Sequence, residues 1–181
     1  MLAGCPDDVT GRRDRFALAL LVYTGLRASE ACGLKWRQVD VERGHIVVRG
    51  KGEKHAMVGI APQLLEELAR WAPELAADRP VLCRVYKGWR NVTTGECEVV
   101  EWDRPMCTGT LRGVLHRASV RVGREIRPHD MRRTLAGILE ESGMPVDQIA
   151  AVLRHNSTAT TERYLKANPR RGVDAMQGFR M

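Results

Sequence analysis

The sequence predicts an α+β fold that is mostly helical and carries a small three-stranded antiparallel sheet. Three observations predict it. Apolar residues recur at helical spacing towards both ends of the chain. Between Val39 and Ile60 the pattern changes to short, β-rich segments. Glycine and proline mark the changes from one element to the next. At 181 residues the length suits one domain with a substantial core. Apolar residues make up 44% and charged residues 28%, which excludes a disordered chain. No apolar run reaches the roughly 18 residues of a membrane span. The segment MLAGCPDDVTGRRD lacks the basic-then-apolar layout of a secretory signal.

Phe16, Ala19, Leu20 and Tyr23 define a helix over 12–24, and Gly25 stops it. A second short helix covers 29–34. Val39 and Val41 alternate, HIVVR follows, and MVGI comes after the turn Gly50-Lys51-Gly52, so three strands are expected with Lys51 on a turn. Pro62 opens a helix, PQLLEELARWAPEL, with Leu64, Leu65, Leu68 and Trp71 inward. In 79–107, VLCRVYKGW and ECEVVEW flank NVTTG, which fits either a β-hairpin or a long excursion. Helices follow at 109–122, 129–142, 145–154 and 158–166, with Gly143 and Pro145 separating the second from the third.

Net charge is +7. Residues 104–133 hold eight arginines against Glu125 and Asp130, whereas 62–78 is acidic, with Glu66, Glu67, Glu74 and Asp78 against Arg70. Such asymmetry predicts one face for a polyanion and another for solvent; two solvated helix faces are the plainer alternative. The cysteines, Cys5, Cys32, Cys83, Cys97 and Cys107, are odd in number and contain no CxxC pair. That fits a reducing cytoplasm and offers no zinc pattern.

The chemistry-bearing residues are Arg27 in TGLRASE, Lys51 in RGKGEKH, His129 and Arg132 in PHDMRRT, and His155 and Tyr164 in LRHNSTATTERYL. Arginine clamps phosphate bidentately. Histidine moves protons near neutral pH. A tyrosine hydroxyl can attack phosphorus, although only about one phenol in a thousand is ionised at pH 7, so a base must stand close. Taken singly, each residue has a plainer reading: Arg27 as a surface ion pair with Glu30, the HxxR as a solvated helix face, Lys51 as a hairpin tip with Lys54 as rival, and Tyr164 as a buried helix end.

Together these boxes resemble the catalytic domain of the tyrosine recombinases (phage integrases). TGLRASEACGLKWRQVD is similar to the first arginine box of that family, including its closing Asp40. VVRGKGEKHAMVGI resembles the strand-turn-strand of its lysine, PHDMRRTLAG its HxxR box and VLRHNSTATTERYL its last box, over residues 12–166. The resemblance implies a DNA strand-exchange enzyme working without metal or cofactor. Tyr164 would form a 3′-phosphotyrosyl link, Arg27 and Arg132 would hold the phosphate, Lys51 would act as general acid, and His129 and His155 would handle the nucleophile's proton. It also implies double-stranded DNA as partner, a tetramer of the full-length protein on DNA and a monomeric isolated domain. A type IB topoisomerase, a DNA-binding module without catalysis and a helical interaction domain are the rival readings. Two departures stand out. The family usually has glycine where this chain has Arg154. The 26 residues before Arg27 are too few for the family's N-terminal core-binding domain, so the chain is expected to be one catalytic domain over 1–181. Asn168-Pro169 should end the last helix; beyond it, docking on a neighbouring protomer and a disordered end are both open.

Overall fold

Helix α1 (Val9–Thr24) is the axis around which the protein is built. Asp8 caps it by accepting from the Gly11 amide at 2.6 Å. In this computed structural model residues 2–49, 55–71, 76–87, 98–155 and 157–166 are described, Arg49, Lys87, Glu98, Tyr164 and Lys166 by their backbones alone. Ala17, Leu18 and Leu21 are as buried as Phe16, Ala19 and Leu20. The run FALALLV therefore packs on all sides, beyond the single stripe that its spacing suggested. Around α1 lie α3 (Pro62–Trp71), α4 (Thr108–Val122), α5 (Pro128–Glu141) and the strand β4 (Cys83–Lys87).

Charged residues fasten this axis to its neighbours. Asp14 is buried and accepts from Arg13 Nε at 3.0 Å and from Arg117 Nη2 of α4 at 2.6 Å. Arg15 grips Glu67 of α3 with two bonds, at 2.8 and 2.7 Å. Trp71 stacks on Phe16 at 6.3 Å between centroids and donates its indole N–H to the Val81 carbonyl.

The three-stranded sheet is as expected: β1 (Val39–Asp40), β2 (His45–Arg49) and β3 (His55–Gly59), all antiparallel. Ile46, Val48 and Val58 face the core, as the two-residue period of a strand requires. Lys51 and Lys54 lie outside the described residues. In the 79–107 segment β4 pairs antiparallel with β5 (Glu98–Pro105) as a second sheet, and residues 88–97, with NVTTG, lie outside the described residues. Two short helices, α2 (Ala28–Gly33) and α6 (Val146–Val152), and the last helix, α7 (Thr158–Lys166), complete the set.

Leu135 and Ala136 of α5, Ile149 and Leu153 at α6, and Leu165 of α7 form a separate apolar cluster. This minor core packs α6 and α7 beside α5. Among the described residues, no helix is long and apolar enough to cross a membrane. Burial pushes the thiols of Cys32 and Cys83 up to about 11, which keeps them protonated and unreactive.

Candidate active site

The site begins where α1 ends. Gly25 adopts a left-handed backbone, φ 59°, and its N–H caps the Leu21 carbonyl. A Cβ there would also meet Leu153 at 3.0 Å and Leu135 at 3.1 Å, so glycine is needed for space as well as for conformation. The turn leaves the Gly25 carbonyl pointing at α5, where Arg132 Nη1 donates to it. Arg132 Nη2 donates to the Leu153 carbonyl at the end of α6. One guanidinium, only 4% exposed, thus joins the C-terminal ends of two helices and satisfies carbonyls that helix ends leave unpaired. His129 sits on the exposed first turn of the same helix. Arg133, next to Arg132, lines a different groove with Thr134 and Ile138, as expected for adjacent residues on a helix.

Arg27 follows Gly25 and precedes α2. Its side chain is half exposed and pairs with Glu30 at 2.8 Å, so the surface ion pair anticipated from sequence is present. Glu30 itself is nearly buried and also accepts from the Arg27 amide at 2.8 Å, which fixes the start of the helix. Burial opposes ionisation of Glu30. The Arg27 amide and guanidinium, with Arg154, outweigh it and hold the carboxyl below its usual value.

At the other side of the site α6 closes in a Schellman turn. The Arg154 amide donates to the Ala151 carbonyl at 3.0 Å and the His155 amide to the Ala150 carbonyl at 2.9 Å. Arg154 takes the left-handed position with φ 55°. A side chain there costs about 1–2 kcal/mol relative to glycine. This explains why glycine suits the place. Arg154 sends its guanidinium to Glu30, at 2.9 Å.

The turn delivers His155 to the centre of the site. Its Nδ1 lies 2.8 Å from the hydroxyl of Thr161, a fully buried residue of α7. Burial first, then the positive charges of Arg132, Arg27, His129 and Arg154, bring the imidazole down to about 4. Hydrogen bonds bring the same elements together: Arg132 of α5 holds the Gly25 and Leu153 carbonyls, and Arg27 and Arg154 share Glu30. Tyr164 lies on α7 three residues after Thr161. Five of the six sequence candidates thus fall on elements that meet here, four of them with described side chains, and Lys51 is outside the described residues. Sequence reasoning missed Thr161 and the carbonyls of Gly25 and Leu153. Backbone acceptors carry no residue-type signal, and Thr161 is one of several polar residues in its segment.

The basic run 104–133 divides between scaffold and surface. Arg117 is tied to Asp14, Arg104 to Glu101 and Arg127 to Glu125. Exposed Arg112 and His116 of α4 line a groove of about 320 Å³ with Arg127 and Pro128, beside the start of α5.

Residues 1–171 match the phage integrase family. Tyrosine recombinase XerA of Thermococcus kodakarensis is 33% identical over 158 residues, which cover 87% of this chain and 52% of that protein. Tyrosine recombinase XerC of Xanthomonas axonopodis pv. citri is 28% identical over 160 residues, covering 87% and 48%. The chain spans about half the length of the curated relatives it matches. The crystal structure of XerA recombinase matches with a TM-score of 0.74 at 22% identity, over 95% of this chain and 59% of that one. XerH site-specific recombinase bound to palindromic difH substrate, in a post-cleavage complex, matches with 0.69 at 22% identity, over 96% and 47%. At that identity the two structures speak for the fold: helical, with the small antiparallel sheet. Sequence and fold agree, and the chain belongs to the phage integrase family.

Proposed function

We propose that this chain is the catalytic part of a site-specific DNA recombinase or integrase, which cleaves and rejoins double-stranded DNA through a 3′-phosphotyrosyl intermediate. The observation that carries the proposal is the geometry in which Arg132 of α5 joins the ends of α1 and α6 and the turn after α6 sets His155 against Thr161, on the helix that bears Tyr164. In the proposed step the Tyr164 oxygen attacks a DNA phosphorus. The P–O5′ bond breaks, and the 5′-oxygen leaves with a proton from Lys51. His155, uncharged above its low pKa, accepts the phenol proton. Arg27 and Arg132 hold the non-bridging oxygens and stabilise the charge that builds on them. The phosphotyrosine keeps the bond energy, so a 5′-hydroxyl from another duplex reverses the step with neither metal nor nucleotide. Arg112, His116 and Arg127 supply donors to the DNA around the start of α5. The relatives' names, tyrosine recombinases, and the palindromic difH substrate bound to the XerH site-specific recombinase support duplex DNA as substrate. The working form on DNA is a tetramer of the full-length protein, acting in the cytoplasm.

The test uses a pool of nicked duplexes whose central base pairs are randomised, so that cleavage releases a short strand and traps the enzyme. An SDS-resistant adduct whose nucleotide-bearing peptide contains Tyr164 is expected. Absence of any adduct, or linkage to a different residue, would overturn the proposal.

A pH prediction follows from His155. Its pKa in the fold, about 4, lies below the ordinary value of 6.5, so the unfolded chain binds the proton more readily. The stability that neutral His155 contributes is fully present above about pH 6.5 and is lost as pH falls towards 4. In the DNA-free chain, NMR should show the His155 imidazole titrating well below the ordinary histidine range. Addition of duplex DNA should raise that midpoint, because a phosphate offsets the surrounding arginines. Titration near 6.5 without DNA would show that these charges do not reach the ring.

A further inference from the structure

Arg154 occupies the left-handed position of the α6 turn, where a side chain is a burden, yet its guanidinium is nearly enclosed against Glu30. The Glu30 carboxylate accepts from the Arg27 amide, from Arg27 Nη1 and from Arg154 Nη2, at 2.8, 2.8 and 2.9 Å. Two guanidiniums therefore share one carboxylate, joining the start of α2 to the turn that carries His155. Paired with Glu30 alone, Arg27 would present no net charge to an anion. With Arg154 included, the trio keeps one positive charge.

We propose that Arg154 is a positioning residue for the phosphate site. By sharing Glu30 it offsets the carboxylate's charge and pins α2 to the α6–α7 corner, so that Arg27 meets the scissile phosphate as a fixed, net-positive group. The proposal rests on the recombinase reading above and deepens it.

Arg154→Gly is the informative variant, because glycine suits the backbone and leaves the turn intact. With the nicked duplex pool under single-turnover conditions it should slow adduct formation about tenfold, the order expected when one charge near a developing anion is lost. Adding Glu30→Gln removes the carboxylate's charge while glutamine still accepts from the Arg27 amide. The double variant should therefore cleave faster than Arg154→Gly. Slowing of less than about threefold in Arg154→Gly, or a double variant no faster than the single one, would overturn the proposal. The salt dependence of duplex binding separates positioning from contact. In an Arg27→Ala background, where the trio no longer presents Arg27 to a phosphate, Arg154→Gly should leave the slope unchanged, and one reduced by a further ~0.9 would mean that Arg154 itself touches a phosphate and would refute the proposal. A DNA-free readout stands apart from the reaction: the Arg27 Nε–Hε NMR signal should shift in Arg154→Gly and move back in the double variant. If the unmodified chain forms no adduct, the recombinase reading fails, and this signal alone decides whether Arg154 acts on Arg27. An unmoved signal would refute the coupling.

Discussion

Arg132→Ala is expected to lose activity and stability together. Removing one donor to a developing oxyanion costs about 10²–10³-fold in rate, and that is the loss anticipated in single-turnover adduct formation. The same side chain also satisfies the buried carbonyls of Gly25 and Leu153. A buried polar group left without a partner costs about 1–3 kcal/mol, so two such losses should move the urea midpoint clearly. Arg132→Lys keeps the charge, but a point-like ammonium cannot reproduce the planar fork between two helix ends, and only partial recovery should follow. Arg27→Ala is the control. Its guanidinium is half exposed, and ion pairs of that kind contribute about 0–1 kcal/mol, so activity should fall with little change in stability. An Arg132→Ala protein with an unaltered urea midpoint would show that the helix ends do not depend on this arginine.

Asp14→Ala should produce the largest purely structural effect. Asp14 and Arg13 are each 3% exposed at the side chain, 2.9 Å apart, and Arg117 approaches Asp14 from α4. Alanine would leave the Arg13 guanidinium buried without its counter-charge, which costs about 3–5 kcal/mol. Domains of this kind are stable by only about 5–15 kcal/mol, so the variant should unfold at much lower urea. Replacing both partners by apolar residues of similar volume, Arg13→Met with Asp14→Leu, should recover much of the loss, because no buried charge is then stranded. Chemical denaturation of the single and double variants checks both statements. A single variant within 1 kcal/mol of the unmodified chain would show, on the same scale, that water reaches Arg13.

Most of the element order was legible because glycine and proline punctuate it and because the apolar period changes from helix to strand and back. Local signals gave Gly25 as a helix end, and φ 59° bears this out. They did not show that α1 would be enclosed on all sides, since a stripe and a buried run look alike over a few turns. The strand pair in 79–107 stayed open for a related reason: short β-rich segments flanking a turn are consistent with more than one path. Charge was the least legible property. Asp14 and Arg117 are 103 residues apart, and no local pattern announces their pairing. Two arginines of the basic run, Arg117 and Arg132, thus also serve the scaffold. At the site, residue types suggested the chemistry, but the assembly depends on backbone carbonyls and helix-end turns. Arg154 was recognisable as a departure from glycine. Its partner, Glu30, lies 124 residues earlier and came into view only in the folded chain.

The placement of Arg132 bears on how far its box can be trusted in other chains of this fold. If the chain cleaves DNA as proposed, a descendant that gave this up would still need this guanidinium to hold the ends of α1 and α6, so selection for folding alone would preserve it. Arg27, half exposed and held by one shared carboxylate, has no such structural protection and would drift once the phosphate-holding role proposed for it was no longer required. In a newly sequenced relative, an intact HxxR therefore testifies to architecture, and on the proposed roles the first arginine is the better sign of retained DNA cleavage.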